Sequence, residues 1–186
     1  LLLLVALFLC LFMLTWVISA YMDVPFVPTP NSVFPKIVEA LRFVPGDVVY
    51  ELGSGDGRLL LACARNEPRV RFIGIERNPL LHTYALTRKY LQGNPRNLTF
   101  RRENFFDTDL SEASKIYGYL FSTVMDALLP KFERELRHTR LASRAFQFSK
   151  KVPTEVVRLS EKPGWHNQHL LYVYDFTDDV ERAKRT

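Results

Sequence analysis

The chain has 186 residues, of which 47% are hydrophobic and 24% charged, with a formal net charge of +5 and two cysteines. Cys10 and Cys63 alone allow neither a disulfide framework nor a cysteine-rich metal cluster, and such sparse cysteine suits a reducing compartment. The basic residues are scattered with few aromatics between them, so the charge makes no case for nucleic acid, and no nucleic-acid partner is expected.

Residues 1–22 contain no charged side chain and are almost entirely Leu, Val, Ile, Phe, Ala and Met. As a helix rising about 1.5 Å per residue they would extend roughly 33 Å, close to the hydrocarbon thickness of a bilayer. A single transmembrane helix is therefore expected there. A cleaved secretory signal, with its apolar run of about 7–15 residues and small-x-small cleavage site, fits less well, and a buried core helix is the third option. Residues 23–35 hold Pro25, Pro28, Pro30 and Pro35, which fix φ and exclude helix and central strand. This stretch reads as a connector, either a lid or a stiff spacer. Residues 36–176 have the length and mixed composition of one domain, and 177–186 form a charged tail.

Within the domain, Ile37, Val38, Leu41 and Phe43 predict a helix over 36–43, stopped by Pro45 and Gly46. Residues 47–52 predict a buried strand, a glycine turn follows, and 58–66 read as a helix. A second strand over 70–75 ends at Glu76, a helix runs from Pro79 to Gln92, and 98–100 open a third strand. Strands at 116–121 and 144–149 bracket a helix over 128–138, and 156–159 with 170–174 form a closing pair. Alternating strands and helices imply a mainly parallel sheet covered on both faces and finished by one antiparallel strand.

The chemistry concentrates in ELGSGDG, residues 51–57, between a strand and a helix. Gly53, Gly55 and Gly57 let the backbone bend and approach a ligand, and the free N–H groups of the next helix suit an acidic group. The dinucleotide pattern needs glycine at the first, third and sixth places, and the sixth here is Arg58. Glu51, two residues before the first glycine, can neutralise a cationic ligand such as S-adenosylmethionine, which carries an ammonium and a sulfonium. Glu76, at the end of the next strand, can accept hydrogen bonds from ribose hydroxyls. Asn104 could bond an adenine amino edge with Phe105 packing on the ring, or 102–106 could be an ordinary loop with core aromatics. His82, His138, His166 and His169 are too dispersed for a metal or relay set, and no metal is expected.

The glycine turn and the strand-end acid resemble those of the seven-stranded class I methyltransferases, across roughly residues 33–176. More narrowly, the uncharged N-terminal segment, PFVPTP at 25–30 and GDVVYELGSGDGR at 46–58 resemble the membrane-anchored protein-lysine methyltransferases, whose mitochondrial members modify the adenine nucleotide translocase and the ATP synthase c-subunit. The resemblance implies an α/β, Rossmann-like, doubly wound, mainly parallel seven-stranded sheet with an antiparallel last strand, preceded by one transmembrane helix. It implies S-adenosylmethionine as cofactor, held by Glu51, Gly53, Ser54, Gly55, Gly57, Glu76, Arg77, Asn104 and Phe105. The family's proline-rich segment is implicated in activity, which puts Thr29 near the cofactor entrance.

Leu120, Phe121, Ser122 and Thr123 depart from the Asn/Asp-Pro-Pro-Tyr/Phe tetrapeptide of enzymes that methylate adenine or glutamine amides, and no general base is evident. Aligning a neutral amine with the methyl can supply much of the acceleration, since good orientation contributes up to about 7–11 kcal/mol. The expectation is N-methylation of a lysine in a membrane protein, with the chain held in the bilayer through residues 1–22. Its domain would lie on the cytoplasmic or mitochondrial matrix side, where the cofactor is. A methyltransferase acting on a small amphiphile or lipid, and a non-catalytic tethered scaffold, are the alternatives.

Overall fold

The computed structural model describes residues 27–160 and 167–177. The expected transmembrane helix over 1–22, most of the charged tail and His166 lie outside the described residues. Among the described residues no helix is long and apolar enough to cross a membrane.

Seven strands form one sheet: β1 (Val48–Leu52), β2 (Arg71–Ile75), β3 (Leu98–Arg101), β4 (Lys115–Gly118), β5 (Thr139–Arg144), β6 (Glu155–Arg158) and β7 (Leu170–Phe176). Their order is β3-β2-β1-β4-β5-β7-β6. The first five pair in parallel, while β7 runs antiparallel to both β5 and β6 and inserts between them. The last strand is thus the single antiparallel one, as the sequence pattern implies. Helices α1 (Phe34–Leu41), α2 (Arg58–Asn66), α3 (Pro79–Leu91) and α4 (Ser122–Glu135) supply the crossovers and cover. Ile37, Leu41, Leu60, Phe72 and Val173 share one core, to which α3 contributes Ala85, while Tyr50, Ile73, Leu128, Phe132 and Tyr174 form the core beneath α4 on the other face.

Among the boundaries that differ from the sequence reading, four have a local reason. The proline segment does not exclude helix throughout: residues 31–33 form a 3-10 turn and α1 starts at Phe34, with Pro35 in the first turn. A missing N–H there costs no hydrogen bond. Arg42, at φ 54°, caps α1, which ends at Leu41, two residues before the expected Phe43. Helix α4 begins at Ser122, six residues before the expected 128, and carries Pro130 inside. Strand β5 occupies 139–144 rather than 144–149. Its polar side chains are buried and find partners at its start: the Thr139 hydroxyl donates to the Ala113 carbonyl at 2.6 Å, and Arg140 Nη1 donates to both carboxylate oxygens of Asp175 at 2.9 and 3.1 Å. Ala145, at φ 66°, then bends the aromatic run 146–148 out of the sheet.

Candidate functional site

The carboxyl ends of β1, β2, β3 and β4 lie along one rim, where a parallel sheet leaves a crevice as its strand order reverses between β1 and β4. A cavity of about 170 Å³ occupies this crevice. Thr29, Glu51, Gly53, Ser54, Gly55, Glu76, Arg77, Asn104 and Phe105 all line it, drawn from positions up to 76 residues apart.

The turn after β1 is folded tightly onto the end of β2. Gly53 and Ser54 both donate their amides to the Ile75 carbonyl at 2.9 Å, and the Gly57 amide donates to the Ser54 carbonyl at 2.9 Å. Gly57 alone among the predicted turn residues does not line the cavity. It caps α2 at φ 71°, and a Cβ placed on it would sit 2.3 Å from Phe100 Cζ, so this glycine makes room for the Phe100 ring of β3 rather than for a ligand.

Glu76 points toward the turn. Its Oε2 accepts from the Gly55 amide at 2.9 Å and its Oε1 from the Asn78 amide at 2.7 Å, which fixes the carboxylate at the cavity edge with lone pairs left over. Glu51 is the opposite case. It is buried, its Oε2 has no hydrogen-bond partner among the described residues, and neither does the hydroxyl of Ser54. Burial, followed by the nearby charges of Asp56 and Glu76, pushes the Glu51 carboxyl well above the usual carboxylate range. Two orphaned buried oxygens on one wall fit a ligand that brings a cationic hydrogen-bond donor, because an unpaired buried polar group is otherwise costly.

Thr29 is pinned in place by a 3.1 Å hydrogen bond between its hydroxyl and that of Tyr117 on β4. Burial pushes the Tyr117 phenol upward, which keeps it protonated. Asn104 spends its Oδ1 on the Phe106 amide at 3.2 Å, and its backbone carbonyl accepts from Asp107 and Thr108, so its first task is to shape the loop after β3. Phe105 packs on Phe106 with ring centroids 5.1 Å apart and presents an apolar wall.

Sequence reasoning missed three features. Asp56, between two of the glycines, is buried and forms ion pairs with Arg58 at 2.7 Å and with Arg88 of α3 at 2.5 Å, tying the turn to two helices. Burial opposes its ionisation, but the two guanidinium groups outweigh that and hold its carboxyl below the usual range. Tyr119, just past β4, lines the cavity; the Arg144 guanidinium lies 4.7 Å from its ring centroid, and Phe146 stacks on it at 6.1 Å. Burial raises the Tyr119 phenol, so it stays protonated at neutral pH. Arg144 is itself buried, with Nη1 unpartnered among the described residues. The Arg-Ala-Phe run was legible only as strand, and a buried arginine has no pattern in one sequence. Cys63 lies in α2, and burial pushes its thiol up to about 12, so it is an inert packing group.

Comparison with known proteins supplies the family. The model described as the ANTKMT methyltransferase domain matches residues 51–155. A protein-lysine N-methyltransferase of Saccharolobus islandicus is 32% identical over 152 residues, covering 81% of this chain and 92% of the relative. A lysine N-methyltransferase of the ATP synthase C-subunit, from Caenorhabditis elegans, is 27% identical over 154 residues, 80% of this chain and 74% of the relative. A crystal structure of an RNA methyltransferase from Salinibacter ruber, in complex with S-adenosyl-L-homocysteine, superposes with a TM-score of 0.74 at 29% identity, covering 82% of this chain and 95% of that one. With a crevice that fits a cationic nucleoside and a match over more than half its length, the chain belongs to the ANTKMT methyltransferase domain family and is an S-adenosylmethionine-dependent methyltransferase.

Proposed function

We propose that this enzyme methylates a lysine side chain of a protein, and that the protein is one of the membrane in which residues 1–22 anchor the chain. The observation that carries the lysine reading is the Saccharolobus islandicus relative, a protein-lysine N-methyltransferase matched along nearly its whole length. The anchor reading rests on the uncharged composition of 1–22 and its bilayer-matched length. A tether would confine the site to substrates of the same bilayer, with the domain on the cytoplasmic or mitochondrial matrix side where the cofactor is made or imported.

The residues divide the work as follows. Glu51 Oε2 and Ser54 Oγ would receive the ammonium end of the cofactor, the turn of Gly53 and Gly55 would leave room for it, and Glu76 would take the ribose hydroxyls. Arg77, Asn104 and Phe105 would bound the adenine end, with Thr29 at the entrance. Gly57 serves by packing. When bound, S-adenosylmethionine supplies an electrophilic methyl on a sulfonium leaving group. Tyr119, protonated and partly buried, offers its hydroxyl oxygen as acceptor for an incoming amine N–H, while Phe121 and Phe146 pack edge-to-face at 5.1 Å beside it and limit water. No carboxylate or imidazole needs to act as base, because a lysine amine that enters neutral is already the nucleophile, and holding it in line supplies the acceleration.

Incubation of whole membranes with methyl-labelled S-adenosylmethionine and either the natural chain or Glu76→Ala tests the reading. Label in protein bands, mapped to methyllysine by mass spectrometry and lost with Glu76→Ala, is the expected result. Label confined to the lipid extract would identify an amphiphile methyltransferase, and label confined to RNA a nucleic-acid enzyme; either would overturn the lysine proposal.

A further inference from the structure

Helix α3 is built inside out. Its seven exposed residues between positions 80 and 91 are Leu80, Tyr84, Leu86, Tyr90 and Leu91 with Thr83 and Thr87 between them, and none is charged. At about 100° per residue they occupy one face roughly 160° wide. Leu80 is 68% exposed and Tyr90 and Leu91 are each 74% exposed, whereas Ala85 is the helix's single buried residue. The helix's cations face the domain instead: Arg88 pairs with Asp56, and the Lys89 ammonium donates to the Leu98 carbonyl. A solvated helix has the reverse arrangement, and an exposed apolar face of this width marks a docking surface.

The charge around that face says what docks. Residues 77–102 carry six Arg or Lys and no Asp or Glu, so the rest of the chain sums to −1. Arg77 and Arg96 are exposed at the two ends of α3, and burial, followed by the nearby charge of Arg102, depresses the basicity of His82 on the same helix. Leucine and tyrosine ringed by arginine is the composition of a surface that sinks shallowly into anionic lipid, with the rings at the headgroup level and the guanidinium groups on phosphate. Single-stranded nucleic acid would use the tyrosines and arginines but has no use for Leu80, Leu86 and Leu91. Position adds to the argument. Arg77 and Leu81 at the start of α3 line the cavity together with Phe105 and Phe106, so the docking face adjoins the cavity mouth.

We propose that the outer face of α3 docks on an anionic bilayer surface and holds the cavity mouth at the lipid headgroups. This stands independently of which substrate is methylated. The full chain, carrying Cys10→Ser and a single reporter cysteine with an environment-sensitive fluorophore, is placed in phosphatidylcholine vesicles with and without phosphatidylserine. The reporter sits at Leu80→Cys or Leu91→Cys, with Val152→Cys near the opposite sheet edge as control; Val152 is 84% exposed, and buried Cys63 does not compete for label. Expected are a blue shift and quenching by lipid-borne nitroxide at 80 and 91, only with phosphatidylserine, and none at 152. Arg96→Gln and Arg102→Gln should each lower the docking constant about fivefold. Reporters at 80 and 91 as water-exposed as the one at 152, or shielding that ignores lipid charge, would overturn the proposal. Shielding produced in detergent by an RNA oligonucleotide would replace it with a nucleic-acid surface. Melting curves of each labelled chain confirm that the fold is retained.

Discussion

Replacing Glu51 by Gln keeps the shape of the side chain and removes its ability to ionise. In the free protein the carboxyl is buried beside Asp56 and Glu76, has an oxygen with no partner, and binds its proton far more tightly than the unfolded chain does. A raised folded value means the native state holds a proton that the unfolded state has released, so the stability contribution is complete below the unfolded value near 4.5 and is lost as pH rises toward the folded one. Within that window the natural protein should lose up to about 1.4 kcal/mol per pH unit relative to Glu51→Gln. Cofactor binding should move the other way. A charge-assisted hydrogen bond is about twice as strong as a neutral one, so losing the carboxylate costs about 1–2 kcal/mol, or roughly 5- to 30-fold in Kd. In the natural protein, affinity for S-adenosylmethionine should rise with pH as Glu51 sheds its proton, and in the variant it should be flat below the range where the cofactor's own amine titrates. Thermal melts and calorimetric titrations of both chains between pH 5.5 and about 7.5 read both effects. Parallel stability curves, or equal affinities with equal pH slopes, would refute the assignment of Glu51 as an unpaired acceptor for a cation.

Gly57→Ala forces a Cβ to 2.3 Å from Phe100 Cζ at φ 71°; overpacking plus left-handed strain should cost about 2–4 kcal/mol and lower Tm by roughly 5–15 °C, partly recovered by adding Phe100→Leu. Asp56→Asn strips two arginines of their buried partner and should destabilise by about 3 kcal/mol at neutral pH. Because the Asp56 value is depressed, its contribution is complete above the unfolded value near 3.8 and disappears as pH falls through the folded one, so melts of the variant and the natural protein should converge in strong acid. Thr29→Val leaves the buried Tyr117 hydroxyl without its 3.1 Å partner, costs about 1–3 kcal/mol, and should raise the cofactor KM more than it lowers kcat, while Thr29→Ser retains both. A change confined to Tm, with steady-state constants untouched, would limit Thr29 to packing.

The sheet was legible wherever its strands are apolar. Residues 48–52 and 71–75 sit at the centre between helices, and a strand buried on both faces must be written in Val, Ile, Leu and Phe. Strand β5 is equally central yet reads Thr-Arg-Leu-Ala-Ser-Arg, because Arg140 finds Asp175 and Glu155 on strands that are distant in sequence and adjacent in space. Polar satisfaction of that kind is a tertiary property, and a search for hydrophobic periodicity slides past it to the aromatic run at 146–148. Helix α4 was started six residues late for a related reason: Pro130 suits the first turn of a helix begun at 128, but the helix tolerates it in its interior once Leu128 and Phe132 bury their faces against the sheet.

At the site, spacing identified Glu51 and Glu76 as neighbours but passed over Asp56 between them, since the work of a carboxylate is defined by its partners. Asp56 is consumed by Arg58 and Arg88, and its charge is balanced before any ligand arrives. Glu76 is half-committed: two backbone amides orient it at the rim with acceptor capacity to spare. Glu51 Oε2 has no partner among the described residues, and its unfavourable burial is relieved by a proton or by a cation with N–H donors. Three carboxylates within 26 positions thus provide a brace, an oriented acceptor and a buried acceptor whose Oε2 is unpartnered among the described residues. Mutating each to its amide separates them: loss of stability without a selective loss of affinity at 56, loss of affinity at 76, and a gain of stability with a loss of affinity at 51. If Glu51→Gln destabilised the free protein at pH 7.5 as Asp56→Asn does, the carboxylate would have an internal partner and the cation site would have to lie elsewhere.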